Sequence, residues 1–496
     1  MQQNYKQLQE RKNDMATTQP DTQRGNLGFI AAIVAVATIG GLLFGYDSGA
    51  VNGTQPGLKA AFALDDAGLG FTVGSLLIGC VVGAFFAGTL ADAVGRRNVM
   101  RYAALLFLVG AIVQGVAHDH TLFVIARICG GIAVGAASVL SPAYISEVAP
   151  PSIRGRMTTV QQIMIITGLT AAFFANYYLA AAASNPANPN DVASLNPLWF
   201  GIAAWRWMYL LQAVPAVIFF IALFFIPESP RFLVSKQRNE EALDVLTSLF
   251  GSRQGALTLG EIQASFSKDH RPRLSDVLTP AGGRGFLGLR SVVWAGLLLA
   301  VFQQLVGINV IFYYGATLWQ AAGFSESQAL MTNIISGSIS IVACFITIGL
   351  VDKIGRKPLL LMGSAGMAIT LFAMVYAFST GTLVADKLTL PGHMGQLAVG
   401  AALAYSFAFN ISWGPVMWVM LGEMFPNQIR GSALAVCGFA QWFANYLVAQ
   451  SFPIMLGSIG LAKSYSFYAV CAVISFFLVQ KFIVETKGKS LEAMEG

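Results

Sequence analysis

The feature that most constrains the fold is a series of twelve apolar runs, each close to the length that crosses a lipid bilayer. A transmembrane helix needs about 20 mostly apolar residues, because lipid offers no hydrogen-bond partners and each helix must pair its own backbone groups. The sequence therefore predicts an all-α membrane protein with twelve transmembrane helices. The predicted spans lie near residues 27–50, 70–91, 98–117, 121–146, 158–181, 207–226, 291–314, 326–350, 358–379, 396–422, 431–456 and 464–484.

Charged residues are scarce along the chain. They make up 11% of it, whereas hydrophobic residues make up 55%. A soluble domain carries about 25% charged residues, so this chain has too few to cover a surface that faces water. The net charge of +6 is then explained by membrane topology and by attraction to anionic lipid headgroups. We expect the lipid bilayer as a partner and no nucleic acid.

The polar segments divide the chain into two tails, two apolar halves and a linker. Lys and Arg are concentrated in the segments on one side of the spans, which the positive-inside rule assigns to the cytoplasm. Within the linker, "EEALDVLTSLF" (240–250) has apolar residues at helical spacing and predicts a short amphipathic helix. We expect a multi-pass protein of the cell (inner or plasma) membrane with both termini in the cytoplasm. The expected divisions are a cytoplasmic tail over 1–26, a six-helix half over 27–226, a cytoplasmic linker with short helices over 227–290, a second six-helix half over 291–484, and a cytoplasmic tail over 485–496.

The two halves repeat each other. "LADAVGRR" follows the second span and "LVDKIGRK" follows the eighth, while "SEVAPPSIRG" follows the fourth and "GEMFPNQIRG" follows the tenth. Two pseudo-symmetric halves enclose a binding site near the bilayer midplane, and rocking one half against the other gives alternating access. The repeat therefore predicts a transporter.

These motifs resemble those of the sugar porter family of the major facilitator superfamily. The resemblance extends from about Gly40 to Ser490, and its most specific marks are "PESPRFL" (227–233) and "QQLVGIN" (303–309). It implies the major facilitator fold, a monosaccharide substrate and a chain that functions as a monomer. It implies a transporter and no enzyme, and we expect neither a cofactor nor a metal ion.

A sugar site requires neutral amides, which both donate and accept hydrogen bonds, and an aromatic plate for stacking. On a straight helix Gln304 and Asn309 would diverge by about 140°, and Gly307 between them is a plausible break that lets both side chains converge. By the resemblance, the sugar contacts are Gln162, Gln303, Gln304, Asn309, Trp418 and Gln441. The expected gate or secondary site comprises Phe44, Tyr313, Tyr314, Trp442 and Asn445.

Two positions depart from the family pattern. Leu169 replaces a glutamine found in proton–xylose symporters, and Ser340 stands where an asparagine is frequent. Both changes remove hydrogen-bonding reach, which favours a hexose, or a looser selectivity, over a specialised xylose site.

Asp47 places a carboxylate inside the apolar first span, where a charged group costs about 2.5–3.5 kcal/mol at the bilayer centre. Arg127 is the basic residue well inside a span, near one end of the fourth. A nearby guanidinium favours the ionised carboxylate and an apolar environment disfavours it, so alternation between the two would let Asp47 take up and release a proton. By the resemblance this aspartate is the proton carrier, paired with Arg127. The function predicted is sugar–proton symport.

Charged residues at the cytoplasmic ends of the helices repeat in both halves and, by the resemblance, act in gating. The alternatives are a proton-independent facilitator in which Asp47 is structural, and a sugar sensor built on a transporter scaffold. The gating set comprises Asp92, Arg96, Arg97, Glu147, Arg154, Glu228, Asp352, Arg356, Lys357, Glu423, Arg430 and Glu485.

Overall fold

The computed structural model describes residues 26–150, 154–185, 192–266, 277–278, 288–384, 387–426 and 429–487. Almost all of both predicted tails, and the side chain of Arg154, lie outside the described part. Within it, twelve helical spans are long and apolar enough to cross a membrane, as the sequence predicts. The helices are α1 (Leu27–Phe62), α2 (Asp66–Val94), α3 (Arg96–Val116), α4 (His120–Val148), α5 (Arg154–Ala183), α6 (Ala204–Leu210), α7 (Ala213–Ala222), α8 (Pro230–Ser235), α9 (Asn239–Phe250), α10 (Ser252–Phe266), α11 (Ser291–Leu305), α12 (Ile308–Ala321), α13 (Glu326–Ile354), α14 (Arg356–Ser379), α15 (Met394–Asn410), α16 (Trp413–Met424), α17 (Arg430–Ile459) and α18 (Leu461–Phe482).

Three of the spans are built from two helices each. The sixth is α6 and α7, the seventh is α11 and α12, and the tenth is α15 and α16. In the seventh span Gly307 has a φ of 86°, a left-handed conformation that costs little only for glycine. Because a broken helix exposes backbone groups, such breaks occur in membranes where they face protein or a cavity.

Close backbone packing joins the helices within each half. A Cβ atom on Gly45 of α1 would lie 1.8 Å from the carbonyl oxygen of Ile165 in α5, and one on Gly131 of α4 would lie 1.9 Å from the carbonyl oxygen of Leu76 in α2. Only glycine fits at such contacts, and small residues are what allow transmembrane helices to approach closely.

The linker contains the short helices expected of it. Leu246 and Leu249 of α9 are fully buried, which confirms the amphipathic helix. The backbone N–H of Asn26, just before α1, donates to the carbonyl of Leu249 at 3.0 Å. The linker helices therefore contact the beginning of the first span.

One small sheet departs from the all-helical expectation. The antiparallel strands β1 (Thr382–Val384) and β2 (Lys387–Thr389) pair with Leu383 opposite Leu388. They lie in the connection between the ninth and tenth spans. A two-stranded hairpin this short leaves no periodic pattern in the sequence, so the sequence does not predict it.

We define the two faces of the bundle by the two ends of α1. The distal face holds the connection between α1 and α2, and the proximal face holds Asn26, where α1 begins. At the distal face α1 hydrogen-bonds to the other half: Asn52 donates to the carbonyls of Ile311 and Phe312 at 3.2 and 2.8 Å. Gln450 of α17 also donates to the carbonyl of Ala67 in α2 at 3.1 Å. These bonds close the distal face.

Candidate functional site

The break in the seventh span brings five amide side chains into one network. Gln304 donates to Oε1 of Gln303 at 3.2 Å, and Gln441 of α17 donates to the same oxygen at 3.3 Å. Nδ2 of Asn309 donates to Gln304 and, at 2.8 Å, to Oδ1 of Asn445. Gln304 and Asn309 therefore converge across Gly307, as the sequence predicts, and the network joins α11, α12 and α17.

The amide network has one buried acceptor without a partner among the described residues. Gln303 is anchored by its Nε2, which donates to the carbonyl of Trp413 at 3.2 Å. By contrast, Oε1 of Gln441 is buried and receives no hydrogen bond from any residue that the structure describes. A buried acceptor without a partner costs about 1–3 kcal/mol, and the hydroxyl of a bound polyol would satisfy it.

Two of the predicted sugar contacts, Gln162 and Trp418, do not belong to the amide network. Gln162 of α5 is half-buried, and Gln161 beside it is buried with its Oε1 unpaired among the described residues. Trp418 of α16 is 40% exposed. The structure thus leaves Gln162 and Trp418 without the hydrogen bonds that organise the other four predicted contacts. The sequence analysis predicted Gln162 as the contact and did not predict Gln161 next to it.

Of the residues predicted as gate, Asn445 belongs to the amide network and the others lie near it. The hydroxyl of Tyr313 accepts from Nδ2 of Asn445 at 3.1 Å, and the hydroxyl of Tyr314 donates to the carbonyl of Ala449 at 2.6 Å. The rings of Phe44 and Trp442 meet edge to face with centroids 5.3 Å apart. Since Phe44 belongs to the first half and Trp442 to the second, this pair joins the two halves.

The two departures from the family pattern also have places in the fold. Leu169 is buried, and its carbonyl oxygen would lie 2.6 Å from a Cβ atom on Gly49 of α1. Ser340 is buried and its hydroxyl accepts from Nδ2 of Asn410 at 3.0 Å. Leu169 therefore packs against the first span, and Ser340 bonds to the tenth span.

Asp47 and Arg127 are brought together, as the sequence predicts. Nη1 of Arg127 lies 3.5 Å from Oδ1 of Asp47, and the two side chains are 1% and 0% exposed. Neither carboxylate oxygen receives a hydrogen bond from a described residue. Arg127 is better satisfied, because it donates to Oε1 of Gln114 at 3.3 Å and to the carbonyl of Val73 at 3.2 Å. The acid is therefore the less strongly held partner of the pair.

Polar neighbours of this pair were missed in the sequence. Gln212, in the break of the sixth span, is fully buried and lies beside the carboxyl group of Asp47. Gln114 contacts Arg127. Both are amides within predicted spans, the signal that identified Gln303 and Gln441, but they lie far from Asp47 in sequence.

A second polar cluster, at the distal face, was also missed. Oδ1 of Asn52 accepts from the N–H of Ala316 at 2.9 Å and from Nδ2 of Asn333 at 2.7 Å, in addition to the two bonds that its Nδ2 donates. Gln55, one turn further, hydrogen-bonds to the carbonyl of Tyr313 and to the hydroxyl of Thr317. Their spacing of three residues places both on one face of α1. We call Asn52 and Gln55 the distal clamp.

The predicted gating charges form one cluster in each half. Arg96 contacts Asp92 at 2.8 Å and Glu147 at 3.3 Å. In the second half Arg356 contacts Asp352 at 3.0 Å and Glu423 at 2.8 Å. Each arginine thereby ties together three helix ends of its own half.

The remaining gating residues bond mainly to backbone groups. Arg97 donates to the carbonyl of Ile226 at 3.1 Å, and its own backbone N–H donates to Glu228 at 3.1 Å. Lys357 donates to the carbonyl of Gln480 at 2.9 Å. Arg430 donates to the carbonyl of Phe425 at 2.9 Å.

Comparison with known proteins agrees with this architecture. The sequence profile of the family described as "Sugar (and other) transporter" matches residues 33–496. The chain is 43% identical to the glucose transport protein of Synechocystis over 478 residues, which cover 96% of this chain and 99% of that protein. It is 37% identical to the D-xylose-proton symporter of Escherichia coli K12, with 95% and 96% of the two chains covered.

Two solved structures are similar to the fold. One is the partially occluded inward open conformation of the xylose transporter XylE from E. coli, with a TM-score of 0.78, 35% identity, and coverage of 93% of this chain and all of that one. The other is the proton:xylose symporter XylE bound to 6-bromo-6-deoxy-D-glucose, with a TM-score of 0.75, 35% identity, and 95% and 99% of the two chains covered.

Proposed function

We propose, because this chain belongs to the sugar transporter family of the major facilitator superfamily, that it imports a monosaccharide together with a proton. Members of this family are transporters, and this chain is not an enzyme. The relative named as a glucose transport protein supports a hexose as the substrate. The relative named as a D-xylose-proton symporter supports the coupling ion.

The observation that carries the proposal is the contact of 3.5 Å between Arg127 and Asp47. Both charges are buried, so separating them without a proton would leave an unpaired charge in the membrane interior, at a cost of several kcal/mol. A proton on Asp47 removes the cost for the acid, while Arg127 keeps its hydrogen bonds to Gln114 and to the carbonyl of Val73. Protonation and release of the pair are therefore coupled on physical grounds.

The transport cycle follows from this coupling. In the state open to the outside, Asp47 takes up a proton and the contact with Arg127 weakens, which allows the sugar-loaded protein to turn. In the state open to the inside, the acid releases its proton and pairs with Arg127 again. The closed distal face and the intact pair of this structure fit the inward-facing stage of such a cycle.

The sugar site of this proposal is the amide network around the break at Gly307. Gln303, Gln304 and Asn309 supply donors and acceptors without fixed charge, which suits a neutral polyhydroxy substrate. Gln441 supplies an acceptor that is buried and unpaired among the described residues. Gln162 and Trp418 would close on the sugar from the other sides, and Trp418 would stack on its C–H face.

Topology and assembly complete the proposal. The proximal face carries the two arginine clusters and the linker, so by the positive-inside rule it faces the cytoplasm, together with both termini. The protein then resides in the cell membrane. A complete site within one chain supports function as a monomer.

The deciding experiment is transport by Asp47→Asn in proteoliposomes with an imposed pH gradient. We expect exchange of labelled D-glucose to remain, because the sugar amides are intact, and uphill accumulation driven by the gradient to disappear. Asp244→Asn, which changes an exposed carboxylate in α9, is the matched control and should accumulate sugar normally. Accumulation by Asp47→Asn at the wild-type level would instead identify a facilitator with a structural aspartate.

The sugar site is tested separately by Gln303→Ala. We expect the KM for D-glucose to rise at least about tenfold, as for the loss of more than one hydrogen bond. Gln320→Ala, near the distal end of the same span, is the control and should keep the wild-type KM. An unchanged KM for Gln303→Ala would place the sugar elsewhere.

A further inference from the structure

The break between α11 and α12 has a dedicated hydrogen-bond donor from another span. Where a helix is interrupted, the last carbonyl groups lose their intrahelical partners, and in a membrane each such group costs several kcal/mol if it stays unpaired. The carbonyl of Val306, in the break itself, accepts a hydrogen bond of 2.7 Å from the hydroxyl of Tyr405. Tyr405 lies in α15 and is fully buried.

A second aromatic side chain fills the space beside the break. A Cβ atom on Gly307 would lie 2.7 Å from Cγ of Tyr468 in α18. A larger residue at Gly307 would be strained by the left-handed φ of 86°, and its side chain would collide with the ring of Tyr468. The break is therefore held from two sides, by the hydroxyl of Tyr405 and by the ring of Tyr468.

The position of the break decides the geometry of the amide network. Gln304 and Asn309 lie on either side of it and would point about 140° apart on a continuous helix. In the structure Asn309 donates to Gln304 and also reaches Asn445, at 2.8 Å. We propose that Tyr405 is a positioning residue for the substrate: its bond to Val306 fixes the rotation of α12 relative to α11, and thereby the convergence of the sugar-binding amides.

This inference rests on the proposed sugar site, although Tyr405 itself is directed at the backbone. Its effect should therefore fall on binding of the sugar. The Asp47–Arg127 pair lies in the other half, between α1 and α4, and its partners among the described residues do not include Tyr405. Proton coupling at saturating sugar should remain intact when the hydroxyl is removed.

The chain offers a matched control. Tyr465 of α18 is buried like Tyr405, but its hydroxyl has no hydrogen-bond partner among the described residues. Tyr405→Phe and Tyr465→Phe each delete one buried hydroxyl from the same half. Only the first deletes a bond to the break.

The experiment measures D-glucose uptake by both variants in proteoliposomes. We expect Tyr405→Phe to raise KM about tenfold, while the maximal rate and the accumulation ratio at saturating D-glucose stay within about twofold of wild type. Tyr465→Phe should leave KM unchanged. A wild-type KM for Tyr405→Phe, or an equal rise in both variants, would overturn the inference.

A binding measurement covers the case in which transport by Tyr405→Phe is too slow to follow. The rise in melting temperature that D-glucose gives the detergent-solubilised protein should shrink in Tyr405→Phe and persist in Tyr465→Phe. An undiminished rise in Tyr405→Phe contradicts the inference.

Gln303→Ala separates this inference from the proposed site. If Gln303→Ala raises KM and Tyr405→Phe does not, the site stands and the positioning role is wrong. If neither variant raises KM, the proposed site is wrong and the positioning role is wrong with it.

Discussion

Glu228 and Glu485 occupy equivalent places in the two halves, although neither lies in the repeated motifs. Glu228 accepts from the backbone N–H of Arg97 at 3.1 Å, and Glu485 accepts from the N–H of Lys357 at 2.9 Å. Each carboxylate thereby caps the start of α3 or α14, where the unpaired N–H groups and the helix dipole favour an anion.

The same cap explains a matched pair of glycines. Gly95 and Gly355, just before α3 and α14, have φ values of 103° and 105°. A Cβ atom at Gly95 would lie 2.4 Å from Oε2 of Glu228, and one at Gly355 would lie 2.7 Å from Oε2 of Glu485. The glycines thus leave room for the carboxylates to reach the helix starts.

Acid should weaken the cap at Glu485. Partial burial by itself would raise the pKa of Glu485, but the backbone N–H groups of Lys487, Arg356 and Lys357 donate to the carboxylate and hold its pKa below the ordinary value. A lowered native pKa stabilises the fold above the unfolded value of about 4.3, and that stability is lost as the pH falls through the native value. We expect Glu485→Gln to reduce the acid sensitivity of the melting temperature below about pH 4.5.

The effect at Glu485 should be small, about 1–2 °C, because the carboxylate is largely solvated. Thermal unfolding in detergent from pH 3 to pH 7 measures it, and Glu240→Gln, an exposed carboxylate of α9, serves as the control. Equal acid sensitivity in Glu485→Gln and wild type would contradict the role of the cap.

Removing one member of the buried ion pair should cost more than removing both. Arg127→Leu leaves Asp47 as an unpaired charge in the membrane interior, a loss of about 3–5 kcal/mol when a buried partner is removed. Adding Asp47→Asn removes that charge and should recover part of the melting temperature. The double variant would melt no higher than Arg127→Leu alone if the 3.5 Å contact were energetically unimportant.

The distal clamp should control which face is open. Asn52→Leu removes four hydrogen bonds to the second half. At about 1 kcal/mol net for each bond, we expect the population open at the distal face to rise at least about tenfold. Reaction of an impermeant thiol reagent with a cysteine introduced at Ala316, whose side chain is buried against the first half beside Asn52, measures that population.

A control for the clamp lies two residues away, at Thr54. The hydroxyl of Thr54 donates within its own half, to Oη of Tyr209 at 2.9 Å. Thr54→Val should therefore leave thiol reactivity at the wild-type level. Equal reactivity in Asn52→Leu and Thr54→Val would show that the clamp does not hold the halves together.

Close packing between the first and fifth spans should tolerate no added methyl group. Gly45→Ala would place a Cβ atom 1.8 Å from the carbonyl oxygen of Ile165, so the helices must separate. Overpacking of this kind costs about 1–3 kcal/mol or more, and we expect a lower melting temperature and slower transport. Gly88→Ala is the control, because a Cβ atom there meets no atom within 4 Å; if it has the same effect, the contact is not the cause.

Much of the site could be predicted because polar residues are easily recognised within the apolar spans of a membrane protein. Asp47, Arg127 and Gln303 stand out in apolar spans, and an ionisable or amide group at membrane depth needs a partner or a function. Gly307 between Gln304 and Asn309 likewise indicated a break. The same signal was present for Asn52 and Gln212, but the sequence does not show which distant backbone or side chain each amide contacts.

The sequence by itself determined the twelve spans, the twofold repeat and the presence of one acid and one guanidinium within apolar helices. These features can be recognised in the sequence because the free-energy cost of placing a residue in lipid depends mainly on the type of that residue. Only the tertiary structure decided that Asp47 meets Arg127 at 3.5 Å, that Tyr405 bonds to the break at Val306, and that Asn52 joins the halves at the distal face. Those contacts join residues far apart in the chain, and helix packing sets them through the combined shapes of many side chains.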